Sequence, residues 1–239
     1  MQQLPLLLEL KESATFESFV LGANTEVVET LRRLSGSPWE PHIYLWGPAG
    51  TGKSHLLQAI CHTVGDHGTG AVYLPLQTIE QLPCVVLDGL ENLALVCIDD
   101  VQRIAGRDDW ELALRNLFER VQGTQGSLVI TGNAVPQELG LHLSQLSSRL
   151  AGCLSLGLKP LNETEILQAL RLRATLRGLL LSPEVERYLL RHYGQPLDHL
   201  FEALELLDRA SLAAQRKLTV PFISHALKEA GLGEAVKSD

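Results

Sequence analysis

The chain has 239 residues, enough for one large domain or a medium domain followed by a small one, and 45% hydrophobic content supplies a core. Its formal net charge of −8 excludes the basic footprint of a protein that binds DNA directly, but leaves room for a basic partner or one that itself holds DNA. No apolar run approaches the ~18 residues of a membrane span. The four cysteines (Cys61, Cys84, Cys97, Cys153) form no C-x-x-C pair, so they read as buried thiols of a cytosolic protein rather than as a metal site.

Residues 1–10 stand apart from the rest. Gln3-Leu4-Pro5-Leu6-Leu7-Leu8 has no helical period, no basic residues precede it as in a signal peptide, and Glu9 cuts the apolar run short. An extended peptide with a leading glutamine and large apolar anchors suits either a preformed groove on a partner or an arm packed on its own domain. Asn24 then reads as the N-cap of a helix over 25–34, with Val27, Val28, Leu31 and Leu34 on one face and Ser35-Gly36-Ser37-Pro38 as its stop. Residues 42–46 read as a short buried strand.

Gly47-Pro48-Ala49-Gly50-Thr51-Gly52-Lys53-Ser54 matches the phosphate-binding pattern G-x-x-x-x-G-K-[S/T], between that strand and a helix running to about residue 64. The glycines let the backbone curl with its N–H groups around phosphate oxygens, and the helix N-terminus adds partial positive charge. Lys53 can reach the β- and γ-phosphates, and Ser54 can ligate Mg²⁺. Residues 65–70 read as a turn, 71–76 as a second strand, and 78–90 as one or two short helices. Leu93 to Asp100 is an apolar strand ending in two carboxylates, a Walker B pattern. Asp99 there can hold Mg²⁺, and Asp100 is placed to orient or polarise a water.

Asp108 or Asp109 is expected to cap a helix through about Val121. A strand over 127–131 follows, then Gly132-Asn133. Asn133, with Thr131 second, is the candidate to bond a γ-phosphate or an attacking water. Residues 141–150 carry Ser147-Ser148-Arg149-Leu150, and 153–156 close as a last strand. Alternating β and α segments predict an α/β domain over 11–160, a parallel sheet covered on both faces. After Pro160 the pattern is helical. Asn162 and Glu165 form a near capping box, Ser182-Pro183 starts a second helix, and Leu197–Gln215 makes a third with Leu200, Leu204, Leu207 and Leu212 inward. Pro221 opens a fourth, stopped by Gly231. Residues 161–232 are thus expected to form a small all-α lid, and 233–239 a disordered tail.

P-loop, Asp-Asp strand end, polar sensor strand, an arginine before the last strand and a helical lid together resemble an AAA+ module. Thr15-Phe16 through Val20-x-Gly22, Leu95 to Gln102, and Leu128-Val129-Ile130-Thr131 with Pro136 and Leu139 resemble the AAA+ domain of the bacterial initiator DnaA. Gln3 to Leu8 is similar to the sliding-clamp-binding motif Q-L-[S/P]-L-P-L. Leu207 to Ser211 with Ala214 to Thr219 resembles the Hda family, the DnaA regulatory inactivators. The resemblance implies a nucleotide-bound adaptor holding ADP (or ATP) and Mg²⁺. Phe19, Val20 and His55 join the P-loop residues and Asn133 among the nucleotide contacts, and Ser54 and Asp99 hold the metal. It implies clamp binding through Gln3, Leu4, Leu6, Leu7 and Leu8. It also implies that Arg149 is an arginine finger promoting, in trans, hydrolysis of DnaA-bound ATP. The expected partners are DnaA in its ATP form and the sliding clamp (beta) of DNA polymerase III. DNA is met only through the clamp, no membrane is involved, and a monomer–dimer balance is possible.

Two departures from the pattern bear on this. Leu7 stands where the clamp motif prefers proline. The lid position of a sensor arginine aligns with Asp198, with Arg191 and Arg209 as alternatives, and a carboxylate there would repel a γ-phosphate and disfavour self-hydrolysis. Two rival readings are an autonomous AAA+ ATPase such as a DnaC-type helicase loader, and a scaffold in which nucleotide only holds base and lid together.

Overall fold

The computed structural model describes residues 10, 14–34, 42–66, 70–79, 81–124, 126–194, 197–214 and 217–232. The chain divides into two compact units, Met1–Pro160 and Leu161–Asp239. No helix among the described residues is long and apolar enough to cross a membrane.

The first unit runs α1 (Thr25–Leu34), β1 (Ile43–Trp46), α2 (Lys53–Asp66), β2 (Ala71–Pro75), α3 (Leu76–Ile79), β3 (Leu95–Asp99), α4 (Asp108–Val121), β4 (Ser127–Gly132), α5 (Ser144–Ala151) and β5 (Leu154–Gly157). The strands pair in parallel in the order β2-β3-β4-β1-β5. Period-2 alternation divides their apolar residues between two cores. Tyr44, Val96, Ile98, Leu128 and Ile130 face Trp110, Leu114, Leu117 and Phe118 of α4 and Leu146 and Leu150 of α5. Ile43, Leu45, Leu95, Cys97 and Val129 face Val28 and Leu31 of α1 and Leu56, Leu57, Ile60 and Cys61 of α2. Burial on both faces is why these strands read as unbroken apolar runs.

Several local details differ from expectation. Asn24 does not use its side chain as a cap. It lies in the 3₁₀ turn Gly22–Asn24, where its Oδ1 accepts from the Lys159 amide at 2.8 Å and its Nδ2 donates to the Lys159 carbonyl at 3.0 Å. Neither Asp108 nor Asp109 caps α4, whose N-cap is Arg107 with no side-chain cap bond. Asp108 instead meets His142 Nδ1 at 3.1 Å. The stretch after α3 is resolved into 3₁₀ turns, Cys84–Leu87 and Leu90–Asn92. Cys61 and Cys97 are buried free thiols, but Cys84 and Cys153 are only half-buried.

The second unit contains α6 (Glu163–Leu176), α7 (Pro183–Tyr193), α8 (Leu197–Ala214) and α9 (Val220–Glu229). Asn162 and Glu165 close a full capping box, with the Glu165 amide 3.0 Å from Asn162 Oδ1 and the Asn162 amide 2.8 Å from Glu165 Oε2. Ser182 caps α7 and Pro183 occupies its first turn. Leu170, Leu189, Tyr193, Leu200, Leu204, Leu207 and Ile223 form the core. Leu212, expected inward, is 74% exposed.

Candidate nucleotide site

Three neighbouring strands deliver their carboxyl ends to one edge of the sheet. In register, Leu45 and Trp46 of β1 lie opposite Thr131 and Gly132 of β4, and Ile98 of β3 opposite Ile130. The loop after β1 is pinned there by the Gly47 amide donating to the Gly132 carbonyl at 3.3 Å. Gly50 and Gly52 have φ of 75° and 88°, in the left-handed region that glycine enters at little cost. A Cβ on Gly52 would also come within 2.6 Å of the Phe19 ring. Thr51 Oγ1 closes the turn onto the Pro48 carbonyl at 2.9 Å. Lys53 opens α2 and is buried, its ammonium donating to the carbonyls of Gly47 (2.8 Å) and Pro48 (3.0 Å). A cationic group held inside a glycine-turned loop at a helix N-terminus fits a phosphate chain.

Segment 14–20 lies against this loop. His55 Nε2 donates to the Thr15 carbonyl at 2.8 Å, and its ring stands 5.5 Å from that of Phe19. Phe19, Gly52 and His55 are therefore brought together, with Val20 half-buried beside them in sequence. For His55, the structure supplies a tether to this segment.

Asp99 ends β3 and is 3% exposed. Tyr73 in the middle of β2 donates its hydroxyl to Oδ2 at 2.8 Å, and Thr131 donates to Oδ1. Burial first, then the Asp99 charge, raise the Tyr73 phenol, so it remains a donor. Thr131 Oγ1 also accepts from the Asp100 amide at 2.9 Å. Asp100, at φ 63°, is the one non-glycine residue at positive φ among those described. Its Oδ1 accepts from Gln102 Nε2 at 2.9 Å, and Gln102 Oε1 accepts from the Asn133 amide at 3.2 Å. Gln102 thus bridges the ends of β3 and β4. Of the two sensor candidates, Thr131 is buried on Asp99 while Asn133 is exposed. Sequence reasoning passed over Tyr73 and Gln102; a tyrosine inside the half-buried strand Val72-Tyr73-Leu74 was the available signal.

Arg149 lies in the last turn of α5, exposed, with Nη1 3.3 Å from Gln122 Oε1. In the second unit, Asp198 lies in the first turn of α8 and is exposed, as are Arg191 and Arg209. Arg173 places its guanidinium 3.8 Å from the Phe201 ring centroid, and burial first, then the Arg177 charge, hold it below the usual arginine range against the opposing pull of Glu205 and Asp198. Gln3, Leu4, Leu6, Leu7 and Leu8 lie outside the described residues.

Comparison with known proteins agrees with this architecture. The model of the Hda lid domain matches residues 163–227, and that of the bacterial DnaA ATPase domain matches residues 10–79. The crystal structure of domain III of Thermotoga maritima DnaA is similar at TM-score 0.80 and 22% identity, over 92% of this chain and 98% of that one. AMPPCP-bound DnaA from Aquifex aeolicus is similar at TM-score 0.69 and 22% identity, over 83% of this chain and 66% of that one. A DnaA bound to AMPPCP and single-stranded DNA gives TM-score 0.70 and 21% identity, over 83% and 65%. Likeness at these identities is one of fold, and the lid match narrows it: the chain is an Hda-like, DnaA-related AAA+ protein.

Proposed function

We propose that this protein is a nucleotide-bound negative regulator of replication initiation that stimulates hydrolysis of DnaA-bound ATP, together with the DNA-loaded sliding clamp. The observation that carries the reading is Arg149, exposed on the last turn of α5 and held by a neutral amide, in a chain whose lid matches the Hda model. A guanidinium presented this way can offset charge developing on a γ-phosphoryl group held by a partner, an effect worth about 10³-fold or more in rate. Gln3, Leu4, Leu6, Leu7 and Leu8 serve as the clamp-binding peptide, and DNA is reached through the clamp.

The chain's own nucleotide is ADP or ATP. Gly47 through Gly52 and the start of α2 would hold its phosphates, with Lys53 trading loop carbonyls for phosphate oxygens. Phe19, Val20 and His55 would flank the base and sugar. Mg²⁺ would take Ser54 and Asp99, its other ligands being water and phosphate oxygens, since the described residues hold no cluster of three or more His, Cys, Asp or Glu able to bind a metal. When bound, the nucleotide supplies the anionic group that the loop is shaped around. Asp100 would orient or polarise an attacking water, and Asn133 would bond that water or a γ-phosphate. Self-hydrolysis is weak in this reading, because the carboxylate of Asp198 aligns with the position of a sensor arginine.

The P-loop with Asp99-Asp100 also favours a second reading, an autonomous ATPase of the DnaC loader type. ATP turnover by the isolated protein separates the two. Negligible turnover alone, with turnover of DnaA-bound ATP rising on its addition and lost in Arg149→Ala, supports the regulator. Rapid turnover alone, with no effect on DnaA, contradicts it.

A further inference from the structure

Helix α4 supports Arg149 from both of its ends. Near its start, Glu111 is 0% exposed. Its Oε1 accepts from the amides of Gly106 (2.8 Å) and His142 (3.1 Å), and its Oε2 accepts from the amide of Leu143 at 2.7 Å. A carboxylate shut away from water needs such donors, and here backbone amides provide them. Two of the three belong to the entry of α5, whose N-cap residue Leu143 brings no capping side chain. Glu111 therefore does for α5, from another helix, what a capping residue does locally. Its third partner, Gly106, sits at φ 80° just past the 3₁₀ turn Val101–Ile104 that follows Asp100. One carboxylate thus ties the segment leaving Asp99-Asp100 to the start of the helix whose last turn carries Arg149. At the other end of α4, the exposed Gln122 accepts from Arg149 itself.

We propose that Glu111 and Gln122 are positioning residues for Arg149. Glu111 fixes where α5 begins, and Gln122 restrains the guanidinium, so that the arginine meets a partner's nucleoside triphosphate already aimed. The inference rests on the trans-acting role proposed above for Arg149. A small displacement of a group that must meet a transferring phosphoryl group has a large effect on rate and little on docking.

The test titrates wild type, Arg149→Ala, Glu111→Gln and Gln122→Ala against DnaA-bound ATP with DNA-loaded clamp, and measures thermal stability and nucleotide affinity for each. Glu111→Gln turns an acceptor into a donor facing an amide. It is expected to lower the maximal stimulated rate by about 10-fold or more, with the half-saturating concentration and nucleotide affinity unchanged. Gln122→Ala is expected to lower the maximal rate several-fold at unchanged melting temperature. If Arg149→Ala abolishes stimulation while both other variants keep the wild-type maximal rate, the inference is overturned and the role of Arg149 stands. If Arg149→Ala stimulates as well as wild type, that role and the inference fall together. Should Glu111→Gln fail to fold, Gln122→Ala decides.

Discussion

Asp99 is held by hydroxyl groups from both neighbouring strands, Tyr73 from β2 and Thr131 from β4. Removing one donor from a buried carboxylate leaves part of its desolvation uncompensated. Tyr73→Phe should therefore lower stability by about 1–3 kcal/mol, read as a drop in urea midpoint. It also frees Oδ2, so a Mg²⁺-dependent component of nucleotide binding should strengthen. An unchanged midpoint and Mg²⁺ dependence would show that the Tyr73 bond is inconsequential. Gly132 illustrates the same sensitivity to single atoms. A Cβ there would overlap the Tyr44 hydroxyl, which donates to the Ala134 carbonyl at 2.6 Å. Gly132→Ala is expected to cost about 1–3 kcal/mol as an overpacking change, and a wild-type denaturation midpoint would contradict this.

At the scale of elements, the bidentate Arg171–Glu186 pair (2.7 and 2.8 Å) ties α6 to α7. Hydrogen bonding to Arg171 outweighs burial and holds the Glu186 carboxyl below its usual 4.5. A depressed carboxyl contributes stability that is present above the unfolded value and lost as pH falls through the folded one. The helical signal should therefore fade below about pH 4.5, and Glu186→Gln should make that loss shallower; identical acid titrations would remove the pair from the account. What was legible in the sequence was local. The P-loop declares itself because its glycines, lysine and helix start are contiguous, and β3 because five buried residues end in Asp99. Asn24 misled because its partner is Lys159, 135 residues away, and a local cap was the best guess without it. Glu111 was invisible for the same reason, the amides of His142 and Leu143 lying 31 and 32 residues away. Leu212 has the helical spacing of Leu204 but lies beyond Leu207, where the buried core of α8 ends.

At the scale of the whole molecule, each unit buries its own core, and the chain carries a net charge of −8. Like charge on duplex DNA and protein opposes contact, and few counterions would be released. The isolated protein should show negligible duplex binding at physiological salt by fluorescence anisotropy, and retention should appear only with a loaded clamp. Binding to bare DNA that weakens steeply with salt would contradict the indirect route. The central claim is that this chain acts on a nucleotide held by another protein. The most direct test follows hydrolysis of ATP pre-bound to DnaA, with DNA-loaded clamp, after adding wild type, Arg149→Ala, or a variant with Gln3 and Leu4 changed to alanine. The account predicts stimulation by wild type that is lost in both variants. No stimulation by folded, clamp-bound wild type would contradict it.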